Sequence, residues 1–220
     1  METETESKPK PMVLVDDKPI LWHIMNTYAI QGFKEFVVAT GYKSEVIDDW
    51  AANLQEEWDV ITLFTGQETQ TGGRIKQVID AFGHGTYFAT YGDGLGNIDL
   101  KSLLDFHFHH KKLATLTAVR PPARFGYLDI KESVVTRFGE KSQMDVGWIN
   151  GGFFVLNSKM TSFIESLDEP LESGAFSRLT SEGQLMAYLH YGFWLPMDTR
   201  GERQILASYA NQTPPPWLTI

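Results

Sequence analysis

The chain has 220 residues, 42% of them apolar and 21% charged, with a formal net charge of −9 and no cysteine. That composition suits one globular domain with a core large enough to need no staples, and it excludes wholesale disorder, thiol catalysis, disulfides and cysteine-based zinc sites. The acidic balance argues against a nucleic-acid partner, since phosphate backbones reward clustered Lys and Arg, yet a single nucleotide needs only a few local cations.

Residues 1–8 are polar and are expected to fray. Pro19 to about Ile30 places Pro at a helix start and apolar residues at helical spacing, with Gly32 ending it. Glu35–Thr40 is a short apolar run closed by Gly41, which suits a buried parallel strand. The pattern then predicts a helix over Ser44–Leu54, a strand over Val60–Thr65 and a helix over Gly73–Phe82. A strand over Thr86–Tyr91, a helix over Leu100–His110 and a strand over Ala114–Val119 complete this half. Such alternation marks a parallel α/β sheet covered by helices on both faces.

Beyond Pro121-Pro122 the rhythm changes. A hairpin is expected from Tyr127–Ile130 and Val134–Phe138 around Lys131-Glu132-Ser133, and a strand over Gly152–Leu156. Helices are predicted over Met160–Leu167 and Phe176–Ser181, short strands over Leu185–His190 and Phe193–Pro196, and a last helix over Thr199–Tyr209. Pro214-Pro215-Pro216 cannot continue it. No apolar run reaches membrane-spanning length and the first residues are acidic, so neither a membrane partner nor a secretory signal is expected, and the expected location is cytoplasmic.

Two carboxylates stand out. Asp93 follows an apolar run in T-Y-G-D-G, and Asp198 sits in G-F-W-L-P-M-D-T. Brought together by folding, they could hold a Mg²⁺ ion that bridges nucleotide phosphates. Each also has a structural alternative: Asp93 as a turn residue, Asp198 as a helix N-cap. Lys10, stiffly mounted between Pro9 and Pro11, could neutralise a triphosphate or be a solvated lysine. Thr69, Thr71, Gly72, Gly73 and Arg74 lead into a helix whose N-terminus could receive an anion, with Arg74 adding a bidentate contact, or they could form a plain flexible loop. Glu140-Lys141 and Asn150 could hold a phosphate and sugar hydroxyls, or be an exposed charge pair beside a glycine turn. His107 and His110 are three apart on a predicted helix, but the spacing supplies no third metal ligand.

Taken together, the segments K-P-K-P-M (8–12), K-P-I-L-W-H-I-M (18–25), T-G-G-R-I-K (71–76), T-Y-G-D-G (90–94), W-I-N-G-G-F-F-V-L (148–156), G-Q-L-M-A-Y (183–188) and G-F-W-L-P-M-D-T (192–199) resemble the sugar-1-phosphate nucleotidylyltransferases. L-A-T-L-T-A-V (113–119), R-F-G (124–126) and E-K (140–141) add to the resemblance, which runs from about residue 4 to the end.

The resemblance implies a doubly wound, mostly parallel α/β sheet of Rossmann-like form. It implies one domain, with a nucleotide-binding half of about 1–120 and a small β-rich sugar-binding half of about 121–220. It further implies transfer of a cytidylyl group from CTP to glucose 1-phosphate with Mg²⁺, or, as the alternative, a relative that binds sugar nucleotides without turnover. Asp93 and Asp198 would be the metal ligands, and Lys10, Arg74 and Asp93 the catalytic groups. Lys10, Thr69, Arg74 and Gly92 would contact the nucleotide, and Glu140, Lys141 and Asn150 the sugar phosphate. A homo-oligomer is left open. Members of that family place a buried strand and a G-G-x-G-T-R loop ahead of K-P-K-P, and residues 1–8 hold neither. The E-P-L-x-x-L pattern is blurred at Gly174-Ala175-Phe176, and the connection between Leu54 and Trp58 is short. Without that central strand, Met12–Val15 or a partner chain would have to fill the gap, or the fold would be marginal.

Overall fold

The computed structural model describes residues 8–122, 126–140 and 147–220. Lys10–Met12 form one 3-10 turn, after which β1 (Leu14–Val15) folds back on β2 (Lys18–Pro19). Asp16 turns the corner at φ 57°, a conformation that a short polar side chain tolerates. There follow α1 (Ile20–Ala29), β3 (Glu35–Thr40), α2 (Ser44–Ala52), β4 (Asp59–Phe64), α3 (Thr71–Phe82), β5 (Thr86–Thr90), β6 (Gly94–Gly96), α4 (Leu100–His110) and β7 (Ala114–Val119). The second half contains β8 (Gly126–Lys131), β9 (Val134–Glu140), β10 (Ile149–Asn157), α5 (Ser177–Ser181), β11 (Leu185–Leu189), β12 (Trp194–Pro196) and α6 (Arg200–Ala210).

The main sheet has the order β11-β7-β10-β5. β11 is parallel to β7, and β10 runs against both β7 and β5, so β5, β7 and β11 share one direction. The apolar run of β10 serves two faces by simple alternation. Phe153 and Val155 join Ile20, Ile24 and Tyr28 of α1, Leu100 and Leu103 of α4 and Leu206 of α6. Phe154 and Leu156 face Met160, Ile164, Leu171, Phe176 and Leu179, with Ile75 of α3 packed alongside. Helices on both faces of an open sheet are the architecture that the alternation predicts. The antiparallel course of β10 is a feature that periodicity alone does not reveal.

Several expectations are corrected. Met160–Leu167 is not a helix. Ser158–Phe163 form 3-10 turns in which the hydroxyls of Thr161 and Ser162 bond the carbonyls of Ser158 and Lys159 (2.9 Å each), offering the backbone a local alternative to the α-helix. Leu167 O then accepts from Gln70 N–H (3.1 Å), so this stretch caps α3 instead. Asp198 is not an N-cap. Thr199 caps α6 in a reciprocal box with Glu202, which leaves the Asp198 carboxylate outside it. After Pro214-Pro215-Pro216, which do not continue α6, the chain returns to the main core, where Trp217 is fully buried beside His23 and Phe193.

The histidines are structural. Lys112 N–H donates to His110 Nδ1 (2.9 Å), so the His110 proton sits on Nε2 and donates to Thr115 Oγ1 (2.7 Å). The Thr115 hydroxyl is then free to donate to His107 Nδ1 (2.8 Å). Burial, reinforced by His110, pushes the His107 pKa down to about 4. Among the described residues no group of three or more metal-ligating side chains occurs.

β3 and β4 form a parallel pair of their own, separate from the main sheet. Among the described residues β3 pairs only with β4, and β5 only with β10. Met12–Val15 does not fill this interval, since β1 pairs with β2. Helices bridge the interval from both sides. α1 sets Tyr28 against Phe88 of β5 (ring centroids 5.8 Å) and Leu21 and Met25 in a cluster with Phe36 and Val38 of β3. α3 bonds Thr40 O through Arg74 and packs Ile75 against the same buried cluster that Ala89 of β5 joins. Phe36, Val37, Val38 and Ala39 are consequently only half-buried, whereas five of the six β7 residues are buried.

Hydrogen exchange is expected to show the interval directly: alternate amides of β3 and β5 should exchange much faster than those of β7 and β10, because they lack a ladder partner. Equal protection in all four strands of a monomer would contradict an open interval. The histidine arrangement predicts a pH dependence. An unfolded His107 takes up a proton near its ordinary 6.5, whereas the folded one resists until about 4. Stability should therefore be flat above pH 6.5 and decline toward pH 4, by up to about 3 kcal/mol from this residue. Denaturant melts at pH 7 and pH 5 measure the decline, which the Thr115→Val variant should change.

Candidate active site

Asp93 lies between β5 and β6, and Asp198 just beyond β12. β6 and β12 are antiparallel with Gly94 opposite Pro196, and Met197 N–H extends the ladder to Asp93 O at 2.7 Å. Strand register therefore brings the two aspartates side by side. Lys10 joins them from the N-terminal turn. Its Nζ lies 2.8 Å from Asp93 Oδ2 and 2.8 Å from Asp198 Oδ1. Partial burial works against the ammonium, but the two carboxylates outweigh it and its pKa is raised. Gly92 permits the approach of the lysine segment, since a Cβ there would stand 2.8 Å from Pro11 Cγ.

Arg74 points to the carboxyl end of β3. It donates to Thr40 O (2.8 Å) and Thr65 Oγ1 (2.6 Å), and burial lowers its pKa. All of these partners are neutral, and among the described residues no carboxylate pairs with it. Thr69 donates to Thr65 O (2.6 Å) and so shapes the same loop. The glycines beside it have a packing role that the sequence does not reveal. A Cβ on Gly72 or Gly73 would collide with Glu169 O or Leu167 O, and Gly72 N–H already donates to Glu169 O (3.1 Å). The start of α3, placed at Thr71 and not Gly73, is thus capped by the 167–171 backbone and does not present a free row of amides.

Asn150 Oδ1 accepts from Gly152 N–H (2.9 Å), which leaves its amide group turned toward the Tyr91 hydroxyl, whose ionised form it favours. Tyr91 donates in turn to Glu172. Leu171 N–H is bonded to Thr71 Oγ1 (2.8 Å). Tyr91 and Glu172 were not singled out by sequence reasoning. The signal that could have found them is an aromatic hydroxyl directly before G-D-G and a glutamate directly after the E-P-L run. Glu140 ends β9, and its side chain, like all of Lys141, lies outside the described residues.

The structure thus brings Lys10, Gly92, Asp93 and Asp198 into one cluster, joins Thr69 and Arg74 at the end of β3, and links Asn150 to Tyr91. The donor set suits a small divalent cation. Two hard carboxylate oxygens converge on one point already occupied by a positive charge, and among the described residues no third ligand joins them, so coordination places are left for water and phosphate.

Residues 5–198 match the nucleotidyl transferase family. The chain is 40% identical over 242 aligned positions to the glucose-1-phosphate cytidylyltransferase of Salmonella typhimurium, covering 100% of this chain and 94% of that one. It is 36% identical to a probable glucose-1-phosphate cytidylyltransferase of Bacillus subtilis, covering 90% and 87%. In fold it is similar to a putative glucose-1-phosphate thymidylyltransferase from Bacillus anthracis (TM-score 0.73, 16% identity, 96% and 90% covered) and to HddC from Yersinia pseudotuberculosis (TM-score 0.70, 20% identity, 91% and 89% covered). With sequence and fold in agreement, the chain belongs to the sugar-1-phosphate nucleotidylyltransferases, enzymes of the nucleotidyl transferase family.

Proposed function

We propose that the protein transfers the cytidylyl group of CTP to glucose 1-phosphate, giving CDP-glucose and pyrophosphate. The observation that carries this reading is the convergence of Lys10, Asp93 and Asp198, in a chain similar over its whole length to glucose-1-phosphate cytidylyltransferases. A phosphate oxygen of the sugar phosphate attacks the α-phosphorus. The bond from that phosphorus to the bridging oxygen breaks, and the electron pair leaves with pyrophosphate. Such a transfer depends on alignment and on neutralising charge more than on covalent help.

In this reading each residue has a task. Asp93 and Asp198 hold Mg²⁺, which supplies neutralisation of the triphosphate when bound. Lys10 delivers an ammonium to the phosphates from a backbone stiffened by two prolines. Arg74, whose guanidinium is bonded among the described residues to neutral groups, adds a second cation from the β3 end. Thr69 and Gly92 shape the nucleotide pocket. Asn150, Glu140 and Lys141 contact the sugar and its phosphate, with Asn150 oriented by Gly152 and Tyr91. The first half of the chain, about 1–120, would thus serve the nucleotide, and about 121–220 the sugar. No helix among the described residues is long and apolar enough to cross a membrane, in keeping with a cytoplasmic enzyme, and a homo-oligomer is compatible with the reading.

Pyrophosphate release measured with each of four nucleoside triphosphates, with glucose 1-phosphate and Mg²⁺, should be fastest with CTP. If CDP-glucose raises the melting temperature but no triphosphate gives product, the chain is a sugar-nucleotide binder and the reading fails. Asp93→Asn should lower kcat by about 10²-fold or more with little change in melting temperature, because it removes charge at the reacting phosphates. An unchanged kcat would remove Asp93 from the reaction.

A further inference from the structure

One side chain of the chain itself, Lys10, pairs with both carboxylates at once. Lys10 Nζ stands at the same distance, 2.8 Å, from one oxygen of each aspartate. A magnesium-sized ion bound to those two oxygens at ~2.1 Å could lie no farther than about 5 Å from that nitrogen. Three positive charges in that space repel strongly, more so where the surroundings are partly desolvated. The lysine and the metal therefore compete for the same two oxygens.

The lysine cannot retreat with its backbone. Pro9 and Pro11 fix φ on either side, Met12 N–H closes the turn on Pro9 O (2.8 Å), and the Pro11 ring lies against Gly92. Only rotation about the side-chain bonds can remove the ammonium, and a second anion within reach favours a rotation that breaks two charge-assisted bonds. Among the described residues, Lys10 is in no other ion pair. A ligand that carries an anion can supply that partner.

We propose that Lys10 is the resident counter-ion of the Asp93–Asp198 pair, and that the pair takes a divalent cation only together with a polyphosphate that draws the ammonium away. This rests on the nucleotidyl-transfer reading for the identity of the polyphosphate, but not for the competition itself. Free metal alone then binds poorly. The polyphosphate opens the carboxylates to the metal as it engages the lysine, and by linkage the metal must strengthen polyphosphate binding by the same factor.

Mn²⁺ alone is the probe, its free concentration followed by electron paramagnetic resonance on the full, nucleotide-free chain. Lys10→Met should bind Mn²⁺ at least tenfold more tightly than the wild type, and adding Asp93→Asn should abolish that gain. Lys10→Gln provides the same comparison should the methionine variant fold poorly. Pyrophosphate should strengthen Mn²⁺ binding by a larger factor in the wild type than in either lysine variant. Equal Mn²⁺ affinity in the wild type and both variants, or an equal pyrophosphate effect, would overturn the proposal. Failure of the nucleotidyl-transfer reading is detected separately by the absence of pyrophosphate release, on which Mn²⁺ binding to the nucleotide-free chain does not depend.

Discussion

The short antiparallel pairing of β6 with β12 is the constraint on which the candidate site depends. Its register, Gly94 opposite Pro196, sets the residues just outside each strand beside one another, and one further bond from Met197 N–H to Asp93 O locks the step. Two carboxylates forced together in this way repel unless a cation stands between them. That need is met by Lys10 from a third part of the chain, which can come close only because residue 92 is glycine. On the other flank, Asp198 N–H and Thr199 N–H both donate to Glu202 Oε2 (2.9 Å each), so the helix cap fixes the backbone while leaving the Asp198 carboxylate uncommitted to it. Strand, turn and cap therefore act together, and none of them positions the cluster alone.

Much of this was legible in the sequence where local chemistry dictates local form. The apolar runs of β3, β5 and β7, each bounded by glycine or a polar turn, read as strands, although only β7 is buried along most of its length, and α3 and α4 read as helices from their apolar spacing. The hairpin of β8 and β9 was legible too, although it turns through Glu132 and Ser133 at φ 48° and 66° without the glycine that such turns favour. The two aspartates were legible as candidates because each follows a strand end.

What was not legible depended on contacts made at long range. Strands as short as β6 and β12 carry no periodicity, so the pairing that assembles the site left no local trace. Trp217 belongs to the core although nothing local marks it, because burial against α1 and Phe193 is decided by where the segment after the prolines can reach and not by its own composition. Gly72 and Gly73 could be read by type as the lead-in to an anion-receiving helix N-terminus or as a plain flexible loop. Their actual constraint is the backbone of 167–169, whose carbonyls leave no space for a Cβ. The same residue type answers two different demands, and only the neighbour distinguishes them.

The interval between β3 and β5 bears on the site because it separates its two sides. Arg74 and Thr69 belong to the β3 side, whereas Asp93 continues from β5. In a continuous sheet a backbone ladder would hold these ends in register. Here side chains do so, and in two places. Tyr28, Phe33 and Phe88 pack edge to face across the interval on the α1 side, with Phe33 and Phe88 centroids 4.8 Å apart. At the carboxyl end, the 167–172 segment is bonded to α3 through Thr71 and Gln70 and to the β5 end through the Tyr91 hydroxyl. Aromatic packing is broad and its geometric preference is shallow, while these hydrogen bonds are few and strongly directional. The distance between the arginine and the carboxylates is therefore governed by a handful of polar contacts around Tyr91 and Thr71. A change at any of them would be felt in the alignment of the two sides before it was felt in the stability of the core.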